Sequence, residues 1–283
     1  MDFSAKSRAE LKQMFSNTLR DGLPGLCFSP YVEGQAAGDI LSEEQIRRRM
    51  EIIMPYTKAI RTFSCTEGNE LIPRIAKEKG LKTMVGAWIS ADRQRNEIEL
   101  RTLAQLAQDG LVDIAAIGNE VLLRNELSAA EIIDYLKQAR ALLPSHVPIG
   151  YVDAYYHFLE HPEIVDACDV ILINCYPFWE GADNAHALAY LQHMYELTQG
   201  VAKGKPIIIA ETGWPSQGEK VLEAVPSPEN AIKYFLNVQQ WAKQHAVEVF
   251  YFSSFDESWK VQQEGEVGRS WGLWNNEEKL KYG

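Results

Sequence analysis

Pro206-Ile207-Ile208-Ile209-Ala210-Glu211-Thr212-Gly213-Trp214 is the stretch on which the fold turns. Its successive apolar residues leave no polar face, so a strand built from them is buried on both sides, as in a parallel sheet covered by helices. Val170-Ile171-Leu172-Ile173 repeats the pattern. Working outward, similar runs place strands at Gly25 to Tyr31, Ala59 to Cys65, Lys82 to Ile89, Asp113 to Glu120, Pro148 to Tyr156, Val170 to Phe178, Pro206 to Trp214 and Val247 to Glu257. Helix signals fill the gaps. Ser42-Glu43-Glu44-Gln45 and Ser128-Ala129-Ala130-Glu131 have capping-box spacing, Ser227-Pro228 sets a cap before a first-turn proline, and Gly80 and Gly110 stop two helices. Eight strand–helix units predict an α/β fold, a single-domain (β/α)8 TIM barrel over residues 25–283. Residues 1–24 predict a helical N-terminal extension at the barrel bottom. An open doubly wound sheet would announce a glycine-rich first turn, whereas the first strand here runs into Ser29-Pro30-Tyr31.

Composition narrows the function. Of 283 residues, 46% are hydrophobic and 24% charged, enough to bury a large core and to exclude disorder. A formal charge of −11 repels phosphate backbones and anionic lipid, so neither nucleic acid nor a membrane surface is an expected partner. A neutral small molecule or polymer is. Cys27, Cys65, Cys168 and Cys175 lack the spacing of a redox or zinc motif and read as buried thiols. No glycine-rich phosphate loop follows any strand, and no cofactor or metal is implied. Residues 1–22 hold no signal-like apolar stretch and no run would span a bilayer, so the chain reads as cytosolic or as a soluble piece of a larger protein, and as a monomer.

In a barrel of this kind chemistry sits at the C-terminal strand ends. Strand four ends Ile117-Gly118-Asn119-Glu120 and strand seven ends Ala210-Glu211, two carboxylates at opposed strand ends. Glycosidic cleavage needs such a pair, one acid to protonate the leaving oxygen and one carboxylate to attack the sugar carbon. Aromatic residues gather at the same ends: Trp88, Trp179 and Trp214 after strands three, six and seven, and Trp259, Trp271 and Trp274 after strand eight. Sugar rings pack apolar faces on such planes, while Tyr31, Tyr176, Asn174, Asp153 and Lys260 offer polar partners.

I-G-N-E at strand four with E-T-G-W-P-S at strand seven resembles glycoside hydrolase family 17, the β-1,3-glucanases and glucanosyltransferases. The likeness extends to S-P-Y-x-x-G-Q (Ser29 to Gln35), N-C-Y-P-F (Asn174 to Phe178), F-D-E-S-W-K (Phe255 to Lys260) and W-G-L-W (Trp271 to Trp274). The resemblance implies Glu120 as acid/base, Glu211 as nucleophile, Asn119 on the sugar 2-hydroxyl, Tyr176 on the nucleophile, and Glu257 with Lys260 on sugar hydroxyls. Tyr31, Asp153, Trp179, Trp214, Trp259 and Trp271 join them as expected substrate contacts, and a β-glucan is the expected partner. Plant members carry a glutamate three residues before the final W-G-L, where Gly268 stands here with Glu266 two residues earlier. Ser258 stands where short members have proline. Only 27 residues separate Phe178 from Pro206, which resembles the short members, many of them transferases. The rival readings are hydrolysis to water, a metal-dependent barrel hydrolase using His157 and His161, and a carbohydrate-binding barrel without catalysis.

Overall fold

The computed structural model describes every residue except Asp2 and Ser4. Eight parallel strands close into a barrel in sequence order: β1 Gly25–Cys27, β2 Ala59–Arg61, β3 Lys82–Ala87, β4 Ile114–Asn119, β5 Ile149–Ala154, β6 Ile171–Asn174, β7 Ile207–Thr212 and β8 Glu248–Tyr251. Helix α1 (Arg8–Arg20) precedes them, and α2 (Glu43–Ile53), α3 (Leu71–Glu78), α4 (Arg93–Gln108) and α5 (Ala129–Leu142) follow β1 to β4. Two short helices, α6 (Tyr155–Glu160) and α7 (Pro162–Ala167), follow β5, and α8 (Ala187–Val201), α9 (Pro228–His245) and α10 (Val261–Arg269) complete the ring. The single-domain (β/α)8 barrel read from the sequence is the fold observed.

All eight expected strands exist, and each stops short of the end read from the sequence. The expected span from Val247 to Glu257 is a strand only through Tyr251; Phe252 N–H still reaches Thr212 O at 2.8 Å, and Phe255 then bridges to Trp274 instead of to β7. Ser128 and Glu131 form the expected capping box, whereas Ser42 caps α2 but Gln45 does not reciprocate. Its amide turns instead to Pro30 O and Gln35 Oε1, both at 2.6 Å, tying α2 to the loop after β1. Helix α1 packs on α9, with Phe15 against the rings of Phe235 at 4.8 Å and Tyr282 at 5.2 Å.

Closure joins the first and last strands, since Gly25 of β1 pairs with Phe250 of β8. The tail beyond β8 reinforces it. Glu278 binds Arg48 at 3.1 Å and Arg49 at 3.2 Å on α2, and Lys281 binds Asp256 at 2.8 Å. Strand register shifts between β4 and β5, β6 and β7, and β7 and β8, each time near the C-terminal end. Such irregularities bend a strand and re-aim its side chains, and here they fall on the strands that carry Asn119, Asn174 and Glu211. The four cysteines are buried and free, and burial pushes Cys27 up to about 12 and Cys168 up to about 11.

Candidate active site

The last residues of β4, β6 and β7 converge on one point. Gly118 takes φ +80°, a conformation in which a Cβ would also meet Val121 at 2.9 Å, and Glu120 itself turns left-handed at φ +53°. That backbone is held by Glu120 N–H to Val152 O at 2.8 Å and by Arg124, which donates to Asn119 O and to Ile89 O. Across the mouth, Asn174 of β6 is paired in register with Glu211 of β7. Gly213, just past β7, allows β8 to approach so closely that a Cβ there would lie 2.1 Å from Phe252 O.

Asn174 Nδ2 donates to Glu120 Oε1 at 2.8 Å and to Glu211 Oε1 at 3.1 Å. The two carboxylate oxygens are therefore no farther apart than those bonds laid end to end, about 6 Å. Glu211 is 5% exposed and both its oxygens are occupied. Oε1 also takes Arg61 Nη1 at 2.5 Å, and Oε2 takes the Tyr176 hydroxyl at 2.6 Å. Arg61, buried at the end of β2, extends its other nitrogen to Asn119 Oδ1 at 2.7 Å and lies 4.3 Å from the Phe63 ring centre. One guanidinium thus aligns residues from β4 and β7.

The glutamates differ in their surroundings. Glu120 has no cation bonded to it, and removal from water, then the nearby Glu211 charge, push its carboxyl up to about 7. The group can thus hold a proton near neutral pH while Glu211 is bound to a guanidinium. At the β8 end, Lys260 pairs with Glu257 at 2.8 Å and lies over Phe252 at 4.2 Å. Burial opposes the Lys260 charge, but Glu257 and Glu264 outweigh it and hold the lysine above its ordinary value.

These groups floor a cleft of about 950 Å³. Trp271 lines it, packed against Tyr176 at 5.2 Å. Tyr31 and Trp259 meet edge to face at 6.1 Å on one wall, and Trp88, under the Arg124 guanidinium at 4.4 Å, stands on another.

Residues 25–272 match the family described as the BtgE/BtgC glycoside hydrolase domain. The chain belongs to that family. This BtgE/BtgC domain is similar to glucan 1,3-beta-glucosidase BGL2 of Candida albicans, 27% identical over 82% of the chain and 83% of the relative. It is 26% identical to glucan endo-1,3-beta-glucosidase btgC of Emericella nidulans over 98% of the chain, which spans 48% of that longer protein. Among solved structures it is similar to the glycoside hydrolase family 17 β-1,3-glucanosyltransferase of Rhizomucor miehei, with a TM-score of 0.82 at 27% identity over 93% and 96% of the two chains. An active-site mutant of the Rhizomucor enzyme is known in complex with laminaritriose. The likeness to family 17 read from the sequence is borne out.

Within the BtgE/BtgC domain, Tyr31, Asn119, Glu120, Tyr176, Trp179, Glu211, Glu257, Trp259, Lys260 and Trp271 all line the cleft. Asp153 and Trp214 do not. Asp153 is fully buried, taking the Tyr151 hydroxyl, Leu122 N–H at 3.1 Å and Ala154 N–H at 2.8 Å, so it ties β5 to the turn after Glu120 instead of meeting a ligand. Trp214 is 1% exposed, packed on Phe178 and Tyr234, with its N–H on Val225 O at 3.0 Å. Trp274 likewise packs inward, on Phe255 and Tyr56.

Other assignments shift with the fold. A side chain at Gly268 would strike Lys260 and Glu264, while Glu266 turns to Arg269 at 3.5 Å, and Glu264 is the glutamate of α10 that lines the cleft. His157 and His161 do have an acidic neighbour, Glu160, with ligating atoms within 4.8 Å, but none of the three lines the cleft. The sequence reading missed Arg61. Its signal was a charged residue inside the apolar run Ala59-Ile60-Arg61, hidden because that strand was extended to Cys65.

Proposed function

We propose that the protein cleaves β-1,3-glucan with retention of configuration and passes the released glycosyl group to an acceptor sugar in preference to water. The observation that carries the retaining mechanism is the Asn174 amide within hydrogen-bond reach of both glutamates, which keeps the facing oxygens within about 6 Å. Retaining pairs stand about 5 to 5.5 Å apart, whereas inverting pairs open to about 6.5–9.5 Å to admit a water.

In this reading Glu211, oriented by Arg61, Asn174 and Tyr176, attacks the anomeric carbon while Glu120 protonates the departing oxygen. The covalent glycosyl-enzyme is then opened by an acceptor hydroxyl that Glu120 deprotonates. Arg61 occupies Asn119 Oδ1, which leaves the Asn119 amide nitrogen to serve the sugar 2-hydroxyl. The Glu257–Lys260 pair binds further hydroxyls, and Trp271, Trp259 and Trp179 pack on ring faces. Retention is tested by trapping with a 2-deoxy-2-fluoro glucoside donor and mapping the labelled peptide; a label absent from Glu211 would remove it from the nucleophile's role. The short segment between Phe178 and Pro206 and the similarity to the Rhizomucor glucanosyltransferase support transfer. Laminari-oligosaccharides should yield products longer than the substrate, and only shorter ones would make the protein a hydrolase.

A further inference from the structure

The group that joins the two glutamates is an amide. Asn174 is 3% exposed, and its Nδ2 faces both carboxylates while its Oδ1 has no partner among the described residues. That orientation is dictated by charge: turned over, the amide would set an acceptor against two acceptors. Asn174 thus leaves its own oxygen unpaired while its amide nitrogen makes its two shorter bonds to the glutamates and a longer one, at 3.5 Å, to Asn119 Oδ1.

Resting on the retaining mechanism proposed above, we infer that Asn174 is a positioning residue for the acid/base, dividing its donors between the two glutamates at rest and serving Glu120 alone once Glu211 is esterified. In the first step a Glu211 oxygen bonds to the anomeric carbon, the glycosidic C–O bond breaks with its electron pair, and the leaving oxygen takes the Glu120 proton. Glu211 is then a neutral ester and Glu120 the anion. An ester oxygen accepts more weakly than a carboxylate, so the Asn174 donors turn to the remaining charge. In the second step the acceptor oxygen bonds to the anomeric carbon, its proton passes to Glu120, and the ester electron pair returns to Glu211. Asn174 keeps Glu120 ionised for that step. By holding Oε1, it leaves Oε2 to carry the proton.

The charged and titratable groups facing Glu120 are Glu211 of β7 and Asp153 of β5, which favour its protonated form, and Arg61 of β2, which opposes it. The Tyr156 and Tyr176 phenols stand close by. Asn174 is the uncharged donor of the set, and its bond favours the ionised carboxylate.

The test is Asn174→Ala, with Asn174→Ser read in the same way if the alanine variant does not fold. The alkaline limb of kcat/KM on laminari-oligosaccharides should move up by about 0.5–1 pH unit, the effect of losing one hydrogen bond to a carboxylate. On a dinitrophenyl glucoside, whose departure needs no proton, the second step should slow about tenfold more than the release of dinitrophenolate in the first. A burst would then appear, and azide, a nucleophile needing no base, should restore turnover. An unmoved limb with both steps slowed alike would reduce Asn174 to packing and overturn the inference. A parent enzyme that forms no trappable intermediate would instead overturn the mechanism on which it rests.

Discussion

Replacing Arg61 by methionine should both unfold the protein more easily and disable it. The guanidinium is 1% exposed and its partner Glu211 6% exposed by side chain, so water cannot replace either member of the pair. Removing one partner of a buried ion pair costs about 3–5 kcal/mol, because the other charge is left without compensation. Unfolding entropy of about 2.1 cal/mol/K per residue implies a fall in Tm of about 5–8 °C for a chain of this length. The same change frees Asn119 Oδ1 and one side of Glu211, and misplacing reacting groups by about 1 Å costs on the order of 100-fold in rate. Calorimetry on Arg61→Met, Glu211→Gln and the double variant separates charge from packing. If the pair is responsible, Arg61→Met costs much less in the Glu211→Gln background. An equal cost in both backgrounds, or a Tm within about 1 °C of the parent, refutes the argument.

Three other outcomes are expected. Because Glu120 enters the first step of the proposed mechanism protonated, kcat/KM should fall as pH rises through about 7; its folded-state value lies above the ordinary 4.5, so the stability its proton contributes is fully present below that value and is lost as pH climbs through about 7, a decline that thermal melts of Glu120→Gln should lack. Gly213→Ala should cost about 2 kcal/mol, read as a lower denaturation midpoint, since its Cβ would meet backbone at Phe252 O, and an unchanged midpoint would contradict the close approach described. Asp153→Asn should lower stability by about 1–3 kcal/mol while leaving KM within about twofold, because the residue binds backbone and Tyr151 and does not line the cleft; a large rise in KM at unchanged Tm would return it to the cleft.

The fold was legible because burial on both faces leaves a mark that a single sequence carries, as in Ile207 to Ala210. Strand ends were less so. The aromatic residues just past a strand, such as Phe252 at the cleft and Phe255 against Trp274, have the same composition as a strand, and only pairing distinguishes them. The cleft residues that stood in compact motifs, Asn119, Glu120, Tyr176, Glu211, Glu257 and Lys260, were brought together as expected. Asp153 and Trp214 sit at equally suitable strand ends, yet their side chains find partners in Leu122 and Val225 on other segments. Which way a strand-end residue faces depends on such distant groups. Arg61 was missed for the complementary reason, since its partners lie on β4 and β7.

The pairing of Gly25 with Phe250, latched by Glu278 on Arg48 and Arg49, also sets how late in synthesis the barrel can close. A ribosome adding about 5–20 residues per second makes the first strand wait roughly ten to forty-five seconds for its neighbour. Throughout that interval Arg49 lacks the counter-ion it has in the finished fold, and the two edges of the unfinished sheet stand open.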